Sequence, residues 1–409
     1  MVASAVVSSA TGGRAIQSSA IVIGAGIVGA ACARSLAMAG IDVLIVDRST
    51  AASATTARGE GNLLVSDKAP GAELVMAVTA AHRWPGLVAE LAEELGDGFP
   101  SIEYESKGGL VVATTEDGAA PLLRFAAEQR GAGVDARELS VSDARTLEPE
   151  LNPAITAAVH YPQDAQVQPV NAAEALLASA RGHGARVMQN TRISGPILDA
   201  NGAIVGIATD RGELRADAIV VAAGPWSGEV ARVLGVGLPV LPRRGMVLVT
   251  SRMPQRIFHK VYDADYVGAV GSGDAALQTS SVVESTESGN VLIGSSREQL
   301  GFDDRLRVDT IARIASKALR LFPFLTDQAI IRTYGGFRPF MPDHLPLVSE
   351  DHRLPGLWHA TGHEGAGIGL APVTGELIAA LITGTTPPLD PAPFSLARAT
   401  LAPHLAAVA

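Results

Sequence analysis

The run Gly24-Ala25-Gly26-Ile27-Val28-Gly29, with Asp47 placed 23 positions after Gly24, is the spacing in this sequence that most directly implies chemistry. Each glycine contributes something different. Gly24 makes a tight turn, Gly26 lets backbone approach a pyrophosphate, and Gly29 allows a helix to touch a strand. Ile27 and Val28 open the helix whose free N–H groups would face phosphate. Asp47 could accept hydrogen bonds from ribose hydroxyls, although alone it reads as a solvated carboxylate at a strand end. Its charge would repel a 2′-phosphate, and Arg48 beside it tempers that repulsion. These residues fit the adenosine diphosphate half shared by NAD and FAD and do not choose between the two.

The elements around the motif suit that role. Ala20 to Ile23 reads as a strand, the stretch up to Ala39 as a helix closed by Gly40, and Val43 to Val46 as a second strand. The segment Ala216 to Gly224 has the apolar composition of a buried parallel strand, so the first lobe resumes late. Further helices are expected from Gly86 to Leu95, after Pro85, and from Ala119 to Arg130, with a strand at Gly109 to Ala113. Between Gly245 and Arg297 the β-rich segments suggest an antiparallel sheet.

With 409 residues the chain should form two lobes. A net charge of −10 without a basic block argues against nucleic acid. The single cysteine, Cys32, excludes a disulfide framework and a cysteine-rich metal site, and fits a reducing, cytoplasmic setting. Cys32 should act as a small apolar residue within the first helix. His359 and His363 are four apart, but Gly362 and Gly365 oppose a helix there, so no metal site is expected. No membrane span is expected, and residues 1–18 read as a disordered leader.

Three segments together resemble the D-amino-acid oxidase family of FAD-dependent enzymes. They are the N-terminal fingerprint followed by Ala57-Arg58-Gly59-Glu60-Gly61-Asn62, the strand end Ala222-Ala223-Gly224-Pro225-Trp226-Ser227, and the loop Gly362-His363-Glu364-Gly365-Ala366-Gly367-Ile368-Gly369-Leu370-Ala371-Pro372 entering a helix. The resemblance covers nearly everything from Ala20 to Gly384. It implies an α/β (α+β) chain, with a discontinuous Rossmann-type FAD-binding domain at 19–100, 150–225 and 331–385. A β-rich substrate domain at 101–149 and 226–330 and a C-terminal tail at 386–409 complete it.

In this family the last loop wraps the pyrimidine side of the flavin. Glycine-rich backbone can approach the ring, and the following helix points its positive end at the region that becomes negative on reduction. The resemblance therefore implies non-covalent FAD held by the fingerprint, Arg58, Gly59, Gly61, Asn62, Ile193, Ala223, Gly224, Trp226, Gly365, Gly367, Ile368, Gly369 and Leu370. Core packing accounts equally well for the Trp226 indole. Arg338, in Gly335-Gly336-Phe337-Arg338-Pro339, matches the arginine that clamps the substrate carboxylate, a structural ion pair being its competing role. Tyr334 could border the same pocket, His363 and Glu364 could line its substrate side, and Tyr262 and Tyr266 are further candidates.

For an amine the resemblance implies hydride departure from the α-carbon to the flavin, assisted by the neutral nitrogen lone pair. Such chemistry needs alignment and a charged clamp rather than a strong base. Sarcosine oxidases carry a lysine over the flavin, and Leu292, in Gly289-Asn290-Val291-Leu292-Ile293-Gly294, stands in its place here. The loop wording resembles the FAD subunits of hydroxyproline and opine dehydrogenases and of hydrogen cyanide synthase. A small amino or imino acid substrate is thus expected, with partner subunits carrying an iron–sulfur or second nucleotide centre. The alternatives are a self-sufficient oxidase releasing hydrogen peroxide and an NAD-dependent or non-catalytic Rossmann protein.

Overall fold

The computed structural model describes residues 19–264 and 271–406, so the expected leader at 1–18 and the candidate Tyr266 lie outside the described residues. The first strand β1 (Ser19–Ile23), the helix α1 (Ile27–Met38) and the strand β2 (Asp42–Val46) form the expected β-α-β unit. β1 and β2 pair in parallel, and β1 pairs on its other side with Ala218–Val221. The completed six-stranded sheet runs Leu347–Glu350, Leu357–Thr361, Ala218–Val221, β1, β2, Arg186–Met188, with only the first strand antiparallel to its neighbour. Its strands read as unbroken apolar runs because both faces are covered. α1 and the helices Pro169–Gly182 and Gly367–Thr383 lie on one face. A small antiparallel sheet, 193–215, packs on the other through Ile204 and Ile207.

An eight-stranded sheet forms the second layer system, in the order Ile330–Phe340, Leu241–Thr250, Val291–Arg297, Gln278–Ser285, Lys260–Asp263, Gly109–Ala113, Ala157–Tyr161, Arg137–Leu139. Its segments between Leu241 and Arg297 pair antiparallel, as the pattern indicates. The two halves of the sheet join through one parallel pairing, Lys260–Asp263 against Gly109–Ala113. Helix Val308–Leu321 buries Ile314, Ala318 and Leu321 against this sheet.

The lobe boundaries implied by the resemblance shift at two strands. Ala157–Tyr161 and Ile330–Phe340, expected on the FAD side, pair with Gly109–Ala113 and Leu241–Thr250 and so belong to the large sheet. Pro85 sits within a helix running Ala72–Leu95 rather than ahead of one. A proline removes one helical hydrogen bond, but Leu74, Ala77, Ala80, Trp84, Leu87 and Leu91 keep one continuous buried stripe across it. The C-terminal segment is packed rather than trailing: Phe394, Leu396 and Leu401 are buried, and Arg398 pairs with Asp343. No helix among the described residues is long and apolar enough to cross a membrane.

Candidate active site

One continuous cavity of about 420 Å³ runs from the carboxyl ends of β1 and β2 to the face of the large sheet. At the first end Gly24 adopts φ +113° and donates its N–H to the Val46 carbonyl at 2.8 Å. A side chain there would be strained and would overlap the Ala222 carbonyl. Gly29 touches the Gly24 carbonyl so closely that an added Cβ would overlap it, which is the helix–strand contact the motif calls for. Asp47 accepts from the N–H groups of Ala25 (2.8 Å) and Ser49 (2.7 Å), which fixes its carboxylate on the cavity wall.

Two helices begin at this cavity without a side-chain cap: α1 after Gly26, and Gly367–Thr383 after Ala366. Neither has an acidic residue in its first turn, so their positive ends are left for a ligand. One lies at the fingerprint and the other at the second glycine-rich loop, where a diphosphate and the electron-rich edge of a flavin would respectively require them. The donor set therefore fits FAD.

Ile27, Val28, Arg48, Arg58, Gly59, Asn62, Ile193, Ala223, Gly224, Trp226, Gly365, Gly367 and Ile368 line this cavity with Gly24, Gly26 and Asp47. Gly29, Gly61, Gly369 and Leu370 stand behind the wall. Gly61 packs against the Val167 carbonyl, Gly369 accepts a hydrogen bond from the Trp84 indole at 2.9 Å, and Leu370 is buried in the core. Trp226 is held between the Arg48 guanidinium, 4.4 Å from its ring, and a stacked Phe302 at 5.2 Å.

At the far end Arg338 lines the cavity and donates from Nη1 to the Ser296 carbonyl at 2.9 Å. Gly245, two positions along the paired strand from the residue opposite Arg338, leaves the room its guanidinium occupies. His363 is a buried wall residue whose Nε2 meets Thr374 Oγ1 at 2.9 Å. Burial pushes its imidazole down to about 4, so it stands neutral and engaged rather than as a free base. Tyr334 is not among the lining residues; its ring lies 5.3 Å from the Arg332 guanidinium carbon. Tyr262 is buried in the sheet beside Asp164, away from the cavity wall. Leu292 pairs with Val249 and Glu284 within the sheet and does not line the cavity. His359 pairs with Asp351 at 3.0 Å, and Cys32 is buried with its thiol pushed up to about 12.

Two features of this end, the partners of Glu364 and the presence of Glu60, do not follow from the sequence reading. Glu364 binds buried Arg243 at 2.5 Å and His344 at 3.2 Å. Burial would raise its carboxyl, but His344, Arg243 and Arg297 outweigh that and hold it below the ordinary range. Glu60 lines the cavity almost fully buried, and burial raises its carboxyl against the pull of Lys260, Arg338 and Arg297. Its one sequence signal is a carboxylate set between two glycines of a cofactor loop.

Fold and cavity together define a Rossmann-type flavoenzyme. The chain belongs to the DAO family of FAD-dependent oxidoreductases, whose family model matches residues 19–381. It is 31% identical to a glycine oxidase of Pseudomonas aeruginosa over 92% of this chain and 97% of that protein. It is 27% identical to the hydrogen cyanide synthase subunit HcnC of the same organism, over 95% and 98%. The crystal structure of glycine oxidase from Geobacillus kaustophilus superposes with a TM-score of 0.83 at 28% identity, covering 93% of this chain and 98% of that one.

Proposed function

We propose that this chain oxidises the C–N bond of a small amino or imino acid, such as glycine, sarcosine, a D-amino acid, D-hydroxyproline or an opine. The observation that carries this reading is Arg338 at one end of a cavity whose other end is the dinucleotide fingerprint. Bound FAD supplies a two-electron oxidant that accepts hydride at its ring. The protein holds the diphosphate and ribose with the fingerprint and Asp47. Arg338 clamps the substrate carboxylate and so orients the α-carbon. The glycine oxidase relatives support an amino-acid substrate.

We further propose that the electrons leave to partner subunits, as in a heteromeric dehydrogenase. The likeness to a protein named as a subunit of hydrogen cyanide synthase supports this. The glycine oxidase relatives favour a second reading, a self-sufficient oxidase. The purified chain should be yellow. A screen of these substrates under an artificial acceptor, set beside dissolved oxygen, separates the two: dye reduction without peroxide supports the dehydrogenase, and stoichiometric peroxide the oxidase. A yellow protein whose flavin no amino or imino acid bleaches would overturn both.

A further inference from the structure

We propose that Glu60 receives the nitrogen of the substrate, its carboxylate accepting a hydrogen bond from the substrate ammonium and then one of its protons. This rests on the amino-acid reading above and assigns the half of the substrate that Arg338 leaves unrecognised. Glu60 lies on the cavity wall with Arg338 and is only 8% exposed; its Oε1 is turned into the sheet against Gly294 without a hydrogen-bond partner, so the carboxylate is incompletely satisfied. A buried carboxylate oxygen without a partner is unfavourable unless a ligand completes it. Gly294 on the large sheet makes room for it, since a Cβ there would overlap Oε1.

The groups facing Glu60 come from three strands of the large sheet and from its own loop. They are Lys260, Arg297, then Arg338 and Tyr334, with Asn62 hydrogen-bonded to its carboxyl. Lys260 already has a buried partner in Glu284, and Arg338 donates to the Ser296 carbonyl. Arg338 and Arg297 favour the ionised carboxylate, as does Lys260, which burial pushes down to about 7, while it holds its proton; burial makes Glu60 a better proton acceptor than an exposed carboxylate. An amino acid arrives as a zwitterion, and its ammonium has no lone pair to assist loss of hydride from the α-carbon. Transfer of one proton leaves a neutral amine and a neutral Glu60 carboxylic acid, with no other bond changed. Arg338 and Glu60 would thus read opposite ends of one dipolar molecule.

The test uses the FAD-loaded protein with its flavin chemically reduced under anaerobic conditions, so that the amines bind without being oxidised, and compares ligands with and without nitrogen: D-proline against cyclopentanecarboxylate, and sarcosine against butyrate. Binding is followed by calorimetry and by the perturbed flavin spectrum. The wild type should prefer the amine-bearing member by about 10- to 100-fold. That preference should grow as pH rises through the ionisation of Glu60. Glu60→Gln should lose the preference and its pH dependence while binding the plain carboxylates as before, and Glu60→Asp should recover part of it. Arg338→Met should lose both kinds of ligand.

A Glu60→Gln protein that keeps the preference and its pH profile overturns the assignment, with the amino-acid reading intact. Failure of every probe to bind the wild type sinks that reading as well. Should Glu60→Gln not retain FAD, the wild type and Glu60→Asp decide: a wild type that binds the amine-bearing member no more tightly than its nitrogen-free partner overturns the proposal, as does a Glu60→Asp protein with an undiminished preference.

Discussion

The two ends of the cavity are made from different materials. The dinucleotide end is backbone: a glycine turn, two uncapped helix starts and one carboxylate fixed by its neighbours' amides. The far end is made of charged side chains, Arg338, Glu60 and the Arg243–Glu364 pair, which the chain brings together from widely separated positions. Backbone contacts fail when a side chain is added. Charged contacts fail when one partner is removed, because the other is left buried and unpaired.

Substitutions can break or sharpen this contrast. Gly29→Val puts a branched side chain into the Gly24 carbonyl, and the expected loss is about 4 kcal/mol or more, seen as failure to recover yellow folded protein. An unchanged thermal midpoint with bound flavin would refute the backbone account. Arg243→Met strands the Glu364 carboxylate and should lower stability by about 3–5 kcal/mol in urea unfolding. Adding Glu364→Gln should restore part of that loss, since it removes the orphaned charge.

Arg338→Met should leave FAD bound while kcat/KM falls about 10²- to 10³-fold, the worth of a charged clamp. An unchanged kcat/KM would reduce Arg338 to a structural role. His363 supplies the smallest effect, and it depends on pH. Its folded pKa is about 4 against 6.5 for an ordinary histidine, so the unfolded chain binds the proton more readily. Stability on its account is full above about pH 6.5 and declines as pH falls towards 4, by up to about 3 kcal/mol. His363→Gln should flatten that limb of the stability curve; an identical acid limb in the variant would mean that His363 does not set it.

The same contrast explains which parts were legible in the sequence. Gly24, Gly26, Gly29 and Asp47 act within one β-α-β unit, so their spacing carries their geometry. The antiparallel strands between Gly245 and Arg297 are visible from composition, although the first of them starts earlier, at Leu241. Glu364 was recognisable as a loop residue, but its partner Arg243 lies on a distant strand, so spacing could not join them. Tyr334 and Tyr262 carried no signal for which side of a strand faces the cavity, and neither lines it. Pro85 misled because a proline inside an amphipathic run looks like a boundary until the buried stripe on both sides is known.

The chain passes from one main sheet to the other four times, after β2, after Ala157–Tyr161, after Ala218–Val221 and after Ile330–Phe340. Bodies joined by four connections can swing apart only if all four bend together, and neither main sheet is drawn from one contiguous stretch of chain. Local shifts of side chains and short loops, such as Trp226 on the cavity wall with Phe302 stacked on it, therefore disturb fewer connections than a rigid-body opening of the molecule.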